Sequence, residues 1–346
     1  MSGACRRRAG RKGLPALRSA VLVLLSAAAL SAAGCGTREG PDPDREPPPV
    51  TIRFAYQDRV ADAASIIAVA RDLFAEEGVH VQPFIFSSGP ACAETLVADG
   101  ADIGTMGDTT AVIAVSRSPV KIIASHGGGE HRHRIIVAGS SPIRSPSDLV
   151  GRRLAIKKGT STYGGLLSWA DSAGLDLSEV TVIDMRPQDM GDALHAGAVD
   201  AIVASEPTPS LVEDRGGREL ATLGGLGNNY PILLVARTEF LREHPDAVIR
   251  FLRALLRAAD IVDDTPDEAA QIIAAKTGLS PALARRAMAH HYYRVQVDPL
   301  TQSSLAATSR FLLDQQIIST APDLSLAIDH TLLQEAAERD VPEAGS

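Results

Sequence analysis

Alternating apolar and polar residues predict short β-strands through the first part of the chain. Three such runs are Val50–Tyr56, Val79–Phe86 and Ala101–Thr105. Apolar residues at helical spacing separate these runs, first from Ile66 to Phe74 and then within Ala91–Asp99. Strands that alternate with helices in this way predict parallel βα units.

The same alternation resumes from Arg153 to Ala236, and the pattern changes after Thr238. The remaining residues show helical spacing almost throughout, in Pro245–Asp263, Asp267–Lys276 and Pro281–His291. We therefore predict the α/β class, with two α/β regions followed by a helical C-terminal segment.

A weak internal repeat relates the two α/β regions. Leu96–Ile103 and Leu194–Ala201 each place a leucine six residues before an aspartate, with a glycine between them. Such helix–glycine–strand units are common in α/β proteins, so the match reflects either a duplication or a coincidence. A polar turn follows each predicted strand, at the strand end where open α/β sheets bind ligands.

The first 34 residues have the pattern of an export signal. Six basic and no acidic side chains accompany an apolar run of about 14 residues, Ala20–Ala33, which is shorter than the ~20 residues that span a membrane. Small residues before Cys35 match the bacterial lipobox, so we predict a signal peptide over residues 1–34 and lipidation of Cys35. The alternatives are an ordinary signal peptide cleaved nearby and an N-terminal anchor, and in each case the rest of the chain is exported.

Charge and composition narrow the possible partners. The formal net charge of the 346-residue chain is −8, and removal of the basic leader makes it more negative. The chain is therefore a poor candidate for nucleic-acid binding, which requires a basic surface, and we expect no nucleic-acid partner. Residues 35–49 crowd prolines and acidic residues without apolar periodicity, which predicts a flexible tether. If Cys35 is lipidated, Cys92 has no cysteine to pair with, so burial must stabilise the fold.

A candidate ligand site lies where the strand Leu154–Ile156 leads into a helix. The turn Gly159–Gly164 contains three hydroxyl side chains and a tyrosine, and the apolar helix Leu166–Ala173 follows. Thr160 or Ser161 can cap the helix, and the remaining N–H and hydroxyl groups suit an anionic or acceptor group. A plain N-cap without a ligand is the alternative, and the absence of a Walker pattern gives no reason to expect a nucleotide.

An ordered series of short motifs resembles a known family. The run SDLVGRRLAI at residues 147–156, followed by GTS at 159–161, resembles the signature of the nitrate/sulfonate/taurine family of ABC-importer substrate-binding proteins. The likeness continues through residues 104–110, 119–124, 174–180, 193–201, 206–207, 239–240 and 244–246. It covers roughly residues 50–300, and the order of the motifs makes it specific although each one is weak.

The resemblance implies a periplasmic-binding-protein type II-like fold of two α/β lobes with a hinge. Residues 50–138 and 238–346 would form lobe 1 and residues 139–237 lobe 2, with crossings near Val137–Ser141 and Leu234–Arg237. The implied function is that of an extracytoplasmic, membrane-anchored lipoprotein that captures a small polar solute by hinge closure. Its partners would be that ligand and an ABC-transporter permease, and the protein would be a monomer without enzymatic activity.

Carried over by motif, the ligand-binding residues of the family correspond to four turns. These are Gln57 and Asp58, then Asp108 and Thr109, then Thr160, Ser161, Thr162 and Tyr163, and finally Glu206. Many relatives have a tryptophan where Ser205 stands, so an aromatic wall there is in doubt. Gln57 and Asp58 could instead be loop caps, Asp108 an N-cap, and Glu206 a solvated first-turn carboxylate.

The acidic residues among these positions suggest the type of ligand. Asp58, Asp108 and Glu206 disfavour a bare anion such as nitrate. We therefore expect a ligand that also carries donor or cationic groups, such as an amino-sulfonate like taurine or an aminopyrimidine thiamine precursor. Replacement of Glu206 by lysine is then expected to abolish binding.

The run His126–Arg134 contains three histidines and a glutamate, which are common metal-ligand types. Arg132 and Arg134 would repel a cation, so we predict no metal ion and no other cofactor. We expect instead a mobile polar loop at the cleft, in which Arg132 contacts an acidic group of the ligand.

Two other functions remain open at this point. A ligand-sensing lipoprotein would use the same closure and differs from an importer only in its membrane partner. An enzyme of pyrimidine or thiamine-precursor metabolism has a similar fold but carries a cysteine-rich motif, whereas Cys92 is the one cysteine after Cys35. Neither a Gly-x-Ser-x-Gly nor a His-Glu-x-x-His motif is present.

Overall fold

The computed structural model describes residues 50–338 of the chain. The predicted signal peptide, the lipidated Cys35 and the tether over residues 35–49 lie outside the described residues. Within residues 50–338, no helix is long and apolar enough to cross a membrane.

Ten strands form two five-stranded sheets. The strands are β1 Thr51–Gln57, β2 His80–Phe86, β3 Ile103–Gly107, β4 Val120–Gly127, β5 His133–Ala138, β6 Arg153–Ile156, β7 Thr181–Asp184, β8 Ala201–Ser205, β9 Gly217–Thr222 and β10 Ile232–Arg237. The first sheet has the order β2-β1-β3-β10-β4 and the second the order β7-β6-β8-β5-β9.

Fourteen α-helices lie within the described residues. They are α1 Ala63–Ala70, α2 Leu73–Glu76, α3 Gly89–Val97, α4 Asp108–Arg117, α5 Ser161–Ser172, α6 Pro187–His195, α7 Thr208–Asp214, α8 Thr238–Glu243, α9 Pro245–Asp264, α10 Pro266–Thr277, α11 Pro281–Met288, α12 Pro299–Asp314, α13 Leu324–Ala327 and α14 Thr331–Glu338. The predicted α/β class with a helical C-terminal segment is therefore confirmed.

Each sheet is buried on both faces, which explains the apolar character of its central strands. Phe54 of β1 lies on one face of the first sheet, where its ring packs edge-on against Phe251 of α9 at 4.9 Å between centroids. Ala55 faces the opposite core. In the second sheet, Ile135 and Ile136 of β5 likewise point into two different cores. The described residues therefore form two α/β units of the same kind. We call the unit built on the first sheet the first lobe and the unit built on the second sheet the second lobe.

The expectation of purely parallel sheets needs a correction. β10 is antiparallel to β3 and β4, and β5 is antiparallel to β8 and β9. A parallel neighbour needs a helical crossover, whereas β5 and β10 arrive directly from the other lobe. Each of these two strands therefore runs antiparallel to the strands of the βα units in its sheet.

The points where the chain changes lobe also differ from the predicted ones. β5 already belongs to the second sheet and β10 already belongs to the first, so the crossings are residues 128–132 and 223–231. The predicted crossings at Val137–Ser141 and Leu234–Arg237 lie at or beyond the far ends of these two strands. The triple glycine at 127–129 is the signal that the sequence reading missed.

Three glycines allow the first crossing to approach other backbone closely. Gly128 N donates to Tyr292 O at 3.1 Å, and Tyr292 N donates back to Gly128 O at 2.9 Å. Gly129 N donates to Asn229 O of the second crossing at 2.8 Å. A Cβ at Gly129 would lie 2.2 Å from the carbonyl oxygen of His290, so a larger residue cannot occupy that position without a shift.

The internal repeat has a structural counterpart in each lobe. Arg53 at the start of β1 donates from its backbone N–H and its guanidinium to Asp102, which precedes β3. Arg153 at the start of β6 makes the same three hydrogen bonds to Asp200, which precedes β8. The two lobes thus share their strand order and this arginine–aspartate clamp.

Candidate functional site

A cleft of about 310 Å³ lies between the two lobes. Residues of the turns after β1 and β3, the N-terminal turn of α5 and the turn after β8 all line it. Six of the nine predicted ligand-binding residues are among them, namely Gln57, Asp58, Thr160, Ser161, Thr162 and Glu206. The carboxyl ends of the parallel strands therefore meet at one space, as the βα pattern implies.

Gln57 and Asp58 reach the cleft from the end of β1. Gln57 is buried, and its Nε2 donates to Thr105 O at 3.3 Å, which fixes its side chain against β3. Asp58 is exposed. The surrounding protein nevertheless removes part of the water around its carboxyl, and this desolvation raises the pKa of that group. The neighbouring Arg59 lines the cleft too, but it is paired with the buried Asp62 at 2.8 Å.

The N-terminus of α5 brings hydroxyl groups to the second side of the cleft. Of the two predicted caps, Thr160 and Ser161, Thr160 is the N-cap and accepts a hydrogen bond from Tyr163 N at 3.3 Å. Ser161 is buried, and its Oγ has no hydrogen-bond partner within the described residues. A Cβ added to Gly107 would lie 1.9 Å from this oxygen. The absence of a side chain at Gly107 therefore allows the two lobes to approach closely here.

Arg132 supplies the positive charge of the cleft. Its side chain is buried at the end of the first crossing, where Nε donates to Tyr230 O at 3.1 Å and Nη1 to Ser205 Oγ at 2.9 Å. Burial and the nearby charge of Arg59 lower the pKa of Arg132 to about 9, which leaves it protonated at neutral pH. No carboxylate of residues 50–338 forms a salt bridge with it.

The expectation of a mobile polar loop around Arg132 needs a correction. The crossing has buried residues on both sides of the exposed His131, and His126 and His133 are buried as parts of β4 and β5. Glycine–backbone contacts with Tyr292 and Asn229 hold it in place. Among residues 50–338, no group of three or more His, Cys, Asp or Glu side chains is arranged to hold a metal ion.

Glu206 follows β8 and is almost fully buried rather than solvated. Its Oε1 accepts from Arg134 Nη1 at 2.8 Å, and its Oε2 accepts from Ser210 N at 3.3 Å. His290 Nε2 lies 3.9 Å from Oε1. The alternative interpretation as a solvated first-turn carboxylate is therefore wrong, and both carboxylate oxygens already have protein partners.

Three predicted residues do not line the cleft. Asp108 is buried as the first residue of α4, and its Oδ2 accepts from Asn228 Nδ2 at 2.9 Å and from Thr308 Oγ1 at 2.7 Å. Its N-cap interpretation is wrong, because Gly107 holds that position. Thr109 is buried beneath α5, and Tyr163 packs against the core of the second lobe.

The cleft also contains residues that the sequence reading missed. Lys157 and Arg215 line it, but each is paired with an aspartate, Asp184 at 3.1 Å and Asp192 at 2.8 Å. His133 lines it directly after Arg132. An apolar part of the wall comes from α6, α7 and the turn after α10, through Met190, Leu211, Val212 and Leu279. Apolar helix positions carry no sequence signal that separates a ligand wall from ordinary core.

Two sheets of this strand order with a cleft between them define the class of two-lobed periplasmic-binding-protein folds. Comparison with known proteins supports this class. The alkanesulfonate-binding protein SsuA from Xanthomonas axonopodis pv. citri, solved with bound MOPS, superposes with a TM-score of 0.76 at 23% identity. The match covers 83% of this chain and 100% of that structure.

The chain belongs to the family described as NMT1/THI5 like, whose pattern it matches over residues 62–269. The predicted family resemblance is thereby confirmed. A putative aliphatic sulfonates-binding protein of Bacillus subtilis (strain 168) is 26% identical over 333 residues, which cover 92% of this chain and 96% of the relative.

Enzymes also occur among proteins of this fold. The desulfurization enzyme DszB superposes with a TM-score of 0.68 at 16% identity, over 84% of this chain and 99% of that structure. In this chain Cys92 is buried in the first lobe's core, and burial raises the pKa of its thiol far above the usual range. Cys92 therefore cannot serve as a thiolate nucleophile in the cleft.

Proposed function

We propose that the protein is an extracytoplasmic substrate-binding component of an ABC importer and captures a small organic sulfonate. The observation that carries this proposal is the buried guanidinium of Arg132, which lines the cleft without a carboxylate partner. A buried charge without a counterion is costly, and an anionic ligand would remove that cost.

The charge distribution favours a sulfonate over an aminopyrimidine. Glu206 was expected to bind a cationic or donor group, but Arg134 and Ser210 occupy its oxygens. Asp108 lies outside the lining, so Asp58 is the one predicted carboxylate that remains unpaired in the described part of the cleft. A sulfonate stays ionised at every physiological pH and presents three acceptor oxygens, which suits Arg132, Ser161 and the N-terminus of α5.

Approximate energies support a ligand with both a head group and a hydrocarbon tail. Micromolar affinity requires about 8 kcal/mol. Charge-assisted hydrogen bonds contribute about 1.5–3 kcal/mol each, so two or three of them supply much of the total. Contact of a short alkyl chain with the apolar wall adds ~0.8 kcal/mol per buried methylene group. We therefore infer an aliphatic sulfonate, the ligand class named for the Bacillus subtilis relative.

We also propose that the lobes close on this ligand and that Cys35 carries a lipid anchor. Thr110 Oγ1 of the first lobe donates to Gly159 O of the second at 3.0 Å, and Arg286 of α11 pairs with Asp214 of α7 at 2.6 Å. Such contacts would form on closure and break on opening around the two crossings. A tethered, monomeric receptor would remain beside its permease and pass the solute to it.

Calorimetric titration of the purified protein with butanesulfonate tests the proposal. We expect micromolar binding to the wild type and a loss of at least 100-fold in Arg132→Met, which keeps an unbranched side chain but removes the charge. Arg215→Met is the matched control, because Arg215 also lines the cleft but is exposed and paired with Asp192. Equal affinity in the wild type and Arg132→Met, or no binding of any sulfonate to the wild type, would refute the proposed function.

A further inference from the structure

His133 is a buried cleft residue with one free nitrogen. Its exposed fraction is 1%, its Nδ1 lies 2.9 Å from Thr162 Oγ1, and its Nε2 has no hydrogen-bond partner among the described residues. An unpartnered buried nitrogen is costly unless a ligand or water satisfies it. Because His133 lines the cleft, a bound ligand is placed to do so.

The position of the imidazole ring is fixed by its neighbours. Tyr230 packs against it in a T-shaped arrangement, with 4.7 Å between ring centroids. The Tyr230 hydroxyl in turn donates to Leu223 O at 2.8 Å, so the tyrosine cannot turn away freely. Thr162 holds the opposite side of the ring from the first turn of α5. A ring held on two sides presents Nε2 in one direction only.

The ring is uncharged at neutral pH. Burial lowers the pKa of His133 well below its usual range, and the positive charges of Arg132 and Arg59 and the neighbouring His291 act in the same direction. A neutral imidazole carries one N–H, on either Nδ1 or Nε2, and the partner of one nitrogen decides which. Thr162 Oγ1 has His133 as its only hydrogen-bond partner among residues 50–338, so its hydroxyl proton is available to Nδ1.

We propose that Thr162 donates to Nδ1 of His133, so that the Nε2–H of His133 donates to an oxygen of the bound sulfonate. Ser161 Oγ and Arg132 Nη2 complete the set of hydrogen-bond donors to the sulfonate, since both lie beside Gly107 at the same side of the cleft. The other tautomer would turn a nitrogen lone pair towards the anion and repel it. His133 is thus a specificity-determining residue, and this inference rests on the proposed function.

The same arrangement predicts which head group the site prefers. Arg132 and the Nε2–H of His133 can only donate and both oxygens of the nearby Glu206 are occupied, so the Ser161 hydroxyl is the one member of this set that can also accept. A sulfonate needs donors alone, whereas an alkylphosphonate monoanion carries a hydroxyl group that needs an acceptor. A phosphonate has to use the Ser161 oxygen as an acceptor and thereby loses the hydrogen bond that Ser161 donates to a sulfonate, so the site discriminates against phosphonates of the same shape.

Two variants of Thr162 test this inference on the whole protein. Thr162→Val keeps the shape of the side chain and removes the hydroxyl, while Thr162→Ser retains the hydroxyl and is the matched control. At pH 6.5 we expect Thr162→Val to bind butanesulfonate at least tenfold more weakly than the wild type. We also expect its preference for butanesulfonate over butylphosphonate to shrink by a similar factor. Thr162→Ser should stay within threefold of the wild type on both counts.

Nitrogen-15 NMR of the His133 ring supplies a readout that needs no variant. We expect the proton on Nε2 in the wild-type protein with bound butanesulfonate, together with a ligand-dependent shift of that signal. A proton on Nδ1 in the complex, or equal affinities of Thr162→Val and Thr162→Ser, would overturn the role of His133 while the sulfonate function stands. If the wild type binds no sulfonate at all, the proposed function and this inference fail together.

Discussion

Arg134 Nη1 donates to Glu206 Oε1 at 2.8 Å, and this ion pair engages the carboxylate of Glu206 within the protein. Glu213 and Glu219 bind the remaining nitrogens of the same guanidinium. Burial opposes the charge on Arg134, but the three hydrogen-bonded glutamates raise its pKa above the usual range. Glu206 is therefore one part of a charged cluster that joins β5, α7 and β9.

Replacing Glu206 by glutamine should lower stability more than affinity. Glutamine can still accept from Arg134, and the other two glutamates still neutralise it, so we expect a loss of ~1–2 kcal/mol in unfolding free energy. The dissociation constant for butanesulfonate should change by less than about threefold. Thermal melting and calorimetric titration measure both quantities. Lost binding at an unchanged melting temperature would show that Glu206 contacts the ligand after all.

Replacing Gly107 by alanine should instead lower affinity more than stability. Its φ of −79° suits any residue, so the strand itself tolerates the change. The new Cβ would lie 1.9 Å from Ser161 Oγ of the other lobe, so either the Ser161 hydroxyl must turn away from its place in the cleft or the lobes must move apart. We expect at least a tenfold loss of sulfonate affinity, ~1.4 kcal/mol, with little change in unfolding free energy.

Gly104→Ala is the matched control for that experiment. Gly104 lies on the same strand, but a Cβ there meets no atom closer than 3.6 Å. The Gly104→Ala variant should bind the sulfonate with the affinity of the wild type. If Gly107→Ala also binds normally, the close contact between Gly107 and Ser161 has no importance for the bound state.

The two arginine–aspartate clamps should differ in strength because they differ in burial. The side chain of Asp102 is 4% exposed and is bound by both Arg53 and Arg237, whereas that of Asp200 is 28% exposed. Loss of one member of a buried pair costs about 3–5 kcal/mol, and an exposed pair contributes about 0.2–1 kcal/mol. Asp102→Asn should therefore destabilise by ~3 kcal/mol and Asp200→Asn by less than ~1 kcal/mol. Urea unfolding of both variants compares them, and equal losses would mean that burial does not set the difference.

Stability should fall as the pH decreases from 7.5 to 5. Burial lowers the pKa of His126 to about 4 from the usual 6.5, against the opposing charge of Asp62. The unfolded chain therefore takes up a proton in this interval while the folded protein does not, so acid favours unfolding. His126 alone accounts for ~2 kcal/mol between these two pH values.

His126→Gln should flatten this dependence. His131→Gln is the control, because that ring is exposed. Urea unfolding at pH 7.5, 6 and 5 measures the slopes, and a slope unchanged in His126→Gln would exclude this histidine as its source.

The sequence predicted most of the fold because local patterns determine most of it. The helix Pro245–Asp264 differs by one residue from the predicted Pro245–Asp263, and the cap at Thr160 agrees with the prediction. Crossing points and charge partners depend on tertiary contacts instead. Nothing in the sequence links Glu206 to Arg134, which precedes it by 72 residues, so the sequence alone indicates a carboxylate that is free to bind ligand.

The position of β10 has a consequence for the order in which the chain can fold during synthesis. β4 joins the first sheet through β10 alone, and β10 follows every strand of the second sheet in the chain. α9, α10 and α11 come later still and cover one face of that sheet. The first lobe begins at the N-terminus, yet a ribosome must complete the whole second lobe before the first can close its sheet. The half of the protein that is made first is therefore the half that is finished last.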